Sequence, residues 1–129
     1  MNNGSGKIRD FTDLNAWKFS HELVLDIYKI SNKFPAFERF GLTSQIQRAS
    51  VSITSNIAEG FGRQSYREKV QFYYLAHGSL TEVKNQLLLS KDLGYISKDF
   101  ERVMEKLVTS QRLLQGLIKT SKSFIIHKS

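Results

Sequence analysis

The segment from Ser44 to Gly62, SQIQRASVSITSNIAEGFG, constrains the fold of this chain more than any other. Apolar side chains recur in it three and four residues apart, which is the spacing of one face of an α-helix. They are Ile46, Ala49, Ile53, Ile57 and Phe61. Small side chains fill many of the remaining positions and would let neighbouring helices approach closely. The segment therefore predicts a central helix with neighbours on more than one side.

A second, polar stripe runs along the same helix. Its members are Gln45, Arg48, Ser52, Asn56, Glu59 and Arg63. One interpretation is a core helix whose polar face lies in water. The other is a paired polar network between helices or subunits, formed by Arg48, Asn56, Glu59 and Glu82. Buried Arg and Glu side chains are rarely tolerated without a partner, so the pairing of these charges separates the two interpretations.

Three further segments have helical periodicity and recognisable ends. Pro35 should end the first helix, and Gly94 should end the third. Ser65 and Glu68 form a capping box that should begin the third helix. The predicted helices span residues 13–34, 42–62, 66–92 and 98–124, with a disordered tail at 1–12 and a frayed tail at 125–129. Because the links are short, sequential helices should be antiparallel, so residues 13–124 are predicted to form an all-α, up-down-up-down antiparallel four-helix bundle.

The third predicted helix is apolar over more than one face. One stripe contains Phe72, Ala76, Leu80, Val83 and Leu87, and it is widened by Tyr73, Tyr74, Leu75, Leu88 and Leu89. A helix with so broad an apolar surface needs burial on two sides, which in a chain of 129 residues favours self-association. Charged residues in place of Leu80 and Leu88 should therefore separate the copies.

Local expectations also follow for glycines and aromatic residues. Gly60 or Gly62 should close the second helix in the left-handed conformation. Gly78 and Ser79, in the middle of the third helix, should mark a close contact with another helix because both residues lower helix propensity there. Phe37 and Phe40 lie in the link before the second helix and should plug one end of the bundle; the alternative is that they are exposed on a surface that binds a partner.

The net charge of +7 is unevenly distributed. Residues 1–105 carry 14 basic and 12 acidic side chains, whereas five basic residues and no acid follow Glu105. A basic surplus on one element points to a polyanionic partner, most often nucleic acid. The alternative is a solvated helix face that keeps the protein dispersed.

The second and third helices also carry a family resemblance. SQIQRASVSITSNIAEGFGR, with YLAHGSLTEVKNQL and LGYI, closely resembles the bacterial four-helix-bundle proteins known as 23S rRNA intervening-sequence proteins. The accessory variability protein of diversity-generating retroelements is a relative. The resemblance runs from about Leu14 to Lys119, and its most specific pieces are Arg48-Ala49, Asn56-Ile57-Ala58-Glu59-Gly60, and Gly78-Ser79 with Glu82. It implies the same bundle, a ring-like homopentamer and, through the retroelement relative, binding to nucleic acid and a reverse transcriptase.

The residues needed for catalysis are not brought together by any motif. Only three histidines occur, no spacing places one beside a nucleophile, and neither a phosphate-binding loop nor a Glu-x-x-His pair is present. We therefore expect no enzyme activity, cofactor or metal site. The chain has no cysteine, no secretory signal and no apolar run long enough for a membrane span, which is typical of a cytoplasmic protein.

Two classes of function remain. The first is an accessory protein that binds RNA or DNA without reading sequence, through a basic surface on a homo-oligomeric ring. Its predicted contacts are Arg63, Arg67, Lys69, Lys84, Arg112, Lys119 and Lys122, and Tyr66 and Tyr74 could stack on bases. The alternative is a protein-interaction scaffold with no role in binding nucleic acid.

Overall fold

Four α-helices form the protein, described here from a computed structural model that covers the backbone of residues 7–128 and the side chains of residues 7–125. They are α1 (Asn15–Ser31), α2 (Leu42–Phe61), α3 (Tyr66–Asp92) and α4 (Phe100–Lys128). Two short 3-10 turns, Phe11–Asp13 and Ala36–Glu38, precede α1 and α2, and the described residues contain no strand. Each helix packs against the next, and α1 packs against α4, so the predicted all-α four-helix bundle is confirmed.

The core consists of the apolar stripes that the periodicity predicted. In α2, Ile46, Ile53 and Ile57 are completely buried, and in α3, Leu80 and Leu87 are completely buried. Burying one such side chain stabilises the fold by about 1.5–3 kcal/mol relative to leaving it in water. The stripes therefore account for the pairing of the two central helices.

Gly60 allows α2 and α3 to pack closely rather than ending α2. A Cβ atom at this position would lie 2.8 Å from Tyr73 Cε1 and 2.9 Å from Phe72 Cβ. Gly62 follows the helix with φ −78°, so the expected left-handed closure of α2 does not occur. The left-handed glycine is Gly94, with φ +83°, and it closes α3 as predicted.

The ends of the bundle differ from the predicted boundaries. Asp10 and Asp13 cap the first 3-10 turn reciprocally, so residues 7–12 are not the disordered segment that was expected. The described helix α4 continues to Lys128, past the predicted end at residue 124, because its apolar periodicity continues through Phe124 and Ile125. The expected disorder of residues 1–6 and the fraying of residue 129 lie outside the described residues.

The aromatic residues before α2 do not plug the bundle. Phe37 is 80% exposed and Phe40 is 89% exposed. Glu38, between them, crosses this end instead, because its Oε1 accepts from the Leu42 backbone N–H at 2.9 Å and its Oε2 from the Tyr95 hydroxyl at 2.8 Å. This arrangement turns the two phenylalanines outward.

The structure also corrects two expectations about α3. Leu80 has no exposed surface, so it belongs to the core and a charge there would unfold the protomer rather than separate copies. A Cβ atom added to Gly78 would meet nothing within 4 Å, so this glycine marks no close contact within the chain. Apolar surface nevertheless remains on α3, since Leu75, Leu88 and Leu89 are 57%, 44% and 46% exposed.

Candidate nucleic-acid interface

The end of the bundle where α2 stops, α3 begins and α4 runs out is basic. Residues 55–77 and 113–125, which meet there, contain five basic and two acidic side chains. The basic ones are Arg63, Arg67, Lys69, Lys119 and Lys122. The antiparallel topology therefore gathers five of the seven predicted contacts at one end, although they are far apart in sequence.

Three of these cations lie close to aromatic rings. The Arg63 guanidinium lies 4.5 Å from the centre of the Phe72 ring, and the Lys69 ammonium lies 5.2 Å from the centre of the Phe61 ring. The Lys122 ammonium donates to the Tyr74 hydroxyl at 3.1 Å and lies 5.7 Å from the centre of that ring. Such contacts hold the cations at defined positions on the surface while leaving N–H donors free.

A stacked aromatic pair joins α3 to α4 at the same end. The rings of Tyr66 and Phe124 lie 4.7 Å apart with an angle of 25° between their planes. Phe124 is 41% exposed and Tyr74 is 49% exposed, so both keep ring surface in contact with solvent. We call the whole set the aromatic-basic end: Arg63, Arg67, Lys69, Lys119, Lys122, Tyr66, Tyr74 and Phe124.

The cations at this end differ in how many hydrogen bonds and ion pairs they form with other residues of the protein. Arg63 forms an ion pair with Glu59 at 3.0 Å. Lys69 donates to the Phe61 carbonyl in the last turn of α2, and its partial burial lowers its pKa. Arg67 and Lys119 are exposed and form no ion pair among the described residues. These two side chains are the most accessible to a phosphate.

The other two predicted contacts lie elsewhere. Lys84 is exposed more than halfway along α3. Arg112 lines a shallow groove between α1 and α4, beside Phe19 and Lys106. Neither side chain joins the aromatic-basic end, because its position along the helix axis places it nearer the middle of the bundle.

The four residues of the predicted polar network all belong to α2 and α3 but bond to different partners. Asn56 donates to the Ser52 carbonyl at 2.8 Å and to the Ser52 hydroxyl at 3.1 Å. The Ser79 hydroxyl donates to the same Ser52 oxygen at 2.9 Å, which links α3 to α2. Glu59 pairs instead with Arg63.

Arg48 and Glu82 border one hollow of about 440 Å³, together with Phe40 and Ser52. Glu82 accepts from the Gln86 side-chain amide at 3.2 Å. Neither Arg48 nor Glu82 forms an ion pair among the described residues. Their role between subunits stays a prediction.

Sequence reasoning missed an ion-pair cluster on the opposite side of the bundle. The Asp26 carboxylate, only 11% exposed as a side chain, contacts the Arg102 guanidinium at 3.1 Å and the Lys106 ammonium at 3.4 Å. Lys106 also pairs with Glu22 at 3.2 Å. The bond to Asp26 raises the pKa of Arg102, and although burial opposes it, the neighbouring carboxylates raise the pKa of Lys106. The cluster fastens α1 to α4, and nothing in the local sequence pattern connects those positions.

Phe124 was also overlooked, because it fell at the predicted end of α4. The available signal was its alternation with Lys122 in a helix whose apolar stripe continues to Ile125.

No helix among the described residues has an apolar stretch long enough to cross a lipid bilayer.

The fold and this surface define a small helical-bundle protein with a basic end that exposes aromatic side chains. The chain belongs to the 23S rRNA-intervening sequence protein family, whose model matches residues 12–116. A solved structure of a protein of unknown function from the S23 ribosomal protein family, from Bacteroides thetaiotaomicron, shares the fold with a TM-score of 0.74. The similarity covers 81% of this chain and 95% of that chain at 24% sequence identity. No curated protein matches the chain.

Proposed function

We propose that this protein is a non-enzymatic accessory factor that binds nucleic acid through the aromatic-basic end of a homo-oligomer. The observation that carries the proposal is the gathering of five cations, against two acids, in the segments 55–77 and 113–125, where α2 ends, α3 begins and α4 approaches its end. Lys and Arg side chains neutralise phosphates and release counterions whatever the base sequence. The expected binding is therefore non-specific and sensitive to salt.

Self-association is supported by surface that one copy leaves uncovered. Leu75 and Leu89 lie fourteen residues apart on α3, about four helical turns, hence on the same side of the helix, and about half of each is exposed. Helix α2 contributes an outer surface with little charge, since only Arg48 and Glu59 are charged among its 20 residues. A solvated helix usually carries more charge than this. Repetition around a ring would multiply the positive charge in proportion to the number of copies.

The first experiment measures binding to a labelled oligonucleotide as salt is raised. The affinity should fall steeply with salt, and Lys119→Gln with Lys122→Gln should make the slope of log affinity against log salt shallower by about 1.4–1.8, because each lost phosphate contact removes about 0.7–0.9. Lys33→Gln with Lys98→Gln, the matched control at the other end, removes the same charge and should alter the slope little. Equal effects of the two pairs would assign binding to net charge alone and contradict the proposed surface.

The second experiment separates assembly from binding. Leu75→Glu with Leu89→Glu should leave the protomer folded, because both side chains already contact solvent, but should reduce the sedimentation coefficient. The affinity for nucleic acid should fall with it. A variant that sediments as a single protomer and binds as tightly as the parent would refute the role of assembly.

The competing function is a scaffold for another protein. The observation that favours it is the outward position of Phe37 and Phe40, since aromatic residues on a loop are enriched at protein interfaces. A stable oligomer that binds no RNA or DNA at low salt would support this alternative. The resemblance to the retroelement accessory protein makes a reverse transcriptase the partner to test, and a ring of five copies the stoichiometry to measure.

A further inference from the structure

Base stacking at the aromatic-basic end would need rings with free faces, cations beside them and a suitable spacing. Phe124 and Tyr74 keep 41% and 49% of their surface exposed, whereas other apolar side chains of the same helices are buried in the core. Lys122 belongs to the same surface, since it bonds to the Tyr74 hydroxyl and is two residues from Phe124 in α4. Every base has a π-face, and stacking on such rings is tolerant of sequence.

The spacing of the two aromatic positions suits two bases of one strand that lie a few nucleotides apart. Tyr66, which stacks on Phe124, precedes Tyr74 by eight residues in α3. At the helical rise this separation is about 12 Å along the axis. Nucleotides spaced by about 3.4 Å would cover it with three or four units, and an extended strand with fewer.

A double helix cannot use these rings. Its base faces are covered by neighbouring base pairs, so only phosphates and groove edges remain accessible unless a base step is opened, which costs a few kcal/mol per step. The cations would still attract duplex phosphates. The exposed rings therefore add affinity for unpaired bases alone.

We infer that the aromatic-basic end binds single-stranded nucleic acid in preference to duplex, with one base stacked on Tyr74 and another on Phe124 while Lys122 contacts a phosphate of the strand that joins them. This inference rests on the proposed function, because it names the form of nucleic acid that the same surface takes. The charge of the surface is independent of the rings. Strand preference and overall binding can therefore be measured separately.

The test compares a labelled single-stranded oligonucleotide with the duplex made from it. The parent protein should bind the single strand more tightly, and Tyr74→Leu with Phe124→Leu should weaken that complex about tenfold or more. Binding to the duplex should change by less than about twofold, because the variant keeps every cation. Phe37→Leu with Phe40→Leu, which removes two exposed rings from the opposite end, should change neither affinity.

A second measurement does not depend on variants. An oligonucleotide carrying a halogenated uracil should cross-link on irradiation to Tyr74 or Phe124 of the unaltered protein, as located by mass spectrometry of the peptides. Cross-links confined to other residues would overturn the inference. So would equal affinities for the two nucleic acids, or an equal loss of both in the Leu variant, and these results would leave the proposed function standing. Absence of binding to either nucleic acid at low salt would overturn both.

Discussion

Replacing Gly60 with alanine tests whether the close approach of α2 and α3 holds the fold together. The added Cβ would lie 2.8 Å from Tyr73 Cε1 and 3.0 Å from Tyr73 Cδ1. Carbon atoms pack favourably at about 3.5–4.0 Å, so the ring or the helix must move by about 0.7 Å. Tyr73 is only 2% exposed, which leaves its ring little room to move.

Two opposing effects set the expected size of the change. Alanine in place of glycine favours a helix by about 1 kcal/mol, whereas forcing an extra methyl group into a packed core costs about 1–3 kcal/mol. Gly60→Ala should therefore lower the free energy of unfolding by about 1 kcal/mol. Gly78→Ala is the matched control, because its Cβ meets nothing within 4 Å and should raise the free energy of unfolding by about 1 kcal/mol.

Urea denaturation followed by circular dichroism measures both variants against the parent. The difference between them, about 2 kcal/mol, isolates the cost of the crowded contact because the change in helix propensity is common to both. Equal shifts in the same direction would refute the argument that Gly60 is required for packing. A loss at Gly78 accompanied by a smaller sedimentation coefficient would instead place a second copy against that position.

Three further predictions concern buried polar groups. Burial raises the pKa of Tyr73 to about 12 from an ordinary 10.0, so the neutral side chain favours the folded state below pH 10. The free energy of unfolding should therefore fall by about 2–3 kcal/mol as the pH rises from about 10 to 12. In a series of denaturation experiments at alkaline pH, Tyr73→Phe should remove this decline. Asp26→Asn should lower the free energy of unfolding by about 1–3 kcal/mol because it breaks the ion pair with Lys106. The same substitution should cost less in a Lys106→Met background, as measured by a double-mutant cycle. An equal cost in both backgrounds would show that the two side chains are not coupled. Tyr95→Phe should lower the free energy of unfolding by about 1 kcal/mol because it removes the hydrogen bond to Glu38. Glu38→Ala should lower it further because it also removes the hydrogen bond from the Leu42 N–H at the start of α2. A higher melting temperature for Glu38→Ala than for Tyr95→Phe would contradict this account.

The contrast between Leu80 and Leu75 shows where sequence periodicity stops being informative. Both lie in a helix with an apolar surface wider than one face, and the pattern, which places Leu80 in the stripe and Leu75 beside it, does not say which of them a neighbouring helix covers. In the structure one has no exposed surface and the other is 57% exposed. The number and direction of neighbouring helices decide which stripe is covered, so a variant intended to separate copies has to be chosen at Leu75 rather than at Leu80.

The amino-acid sequence by itself determined the four helices, their antiparallel order and most of the core, because helical periodicity, caps and short links are local properties. The aromatic-basic end and the Asp26 cluster were decided only by the tertiary structure. Their members come from helices that are distant in the chain, and contact between such residues depends on how each helix rotates about its axis when it packs. The outward position of Phe37 and Phe40 was likewise visible only in the structure, where Glu38 bonds to both Leu42 and Tyr95, residues that the fold brings together from distant parts of the chain.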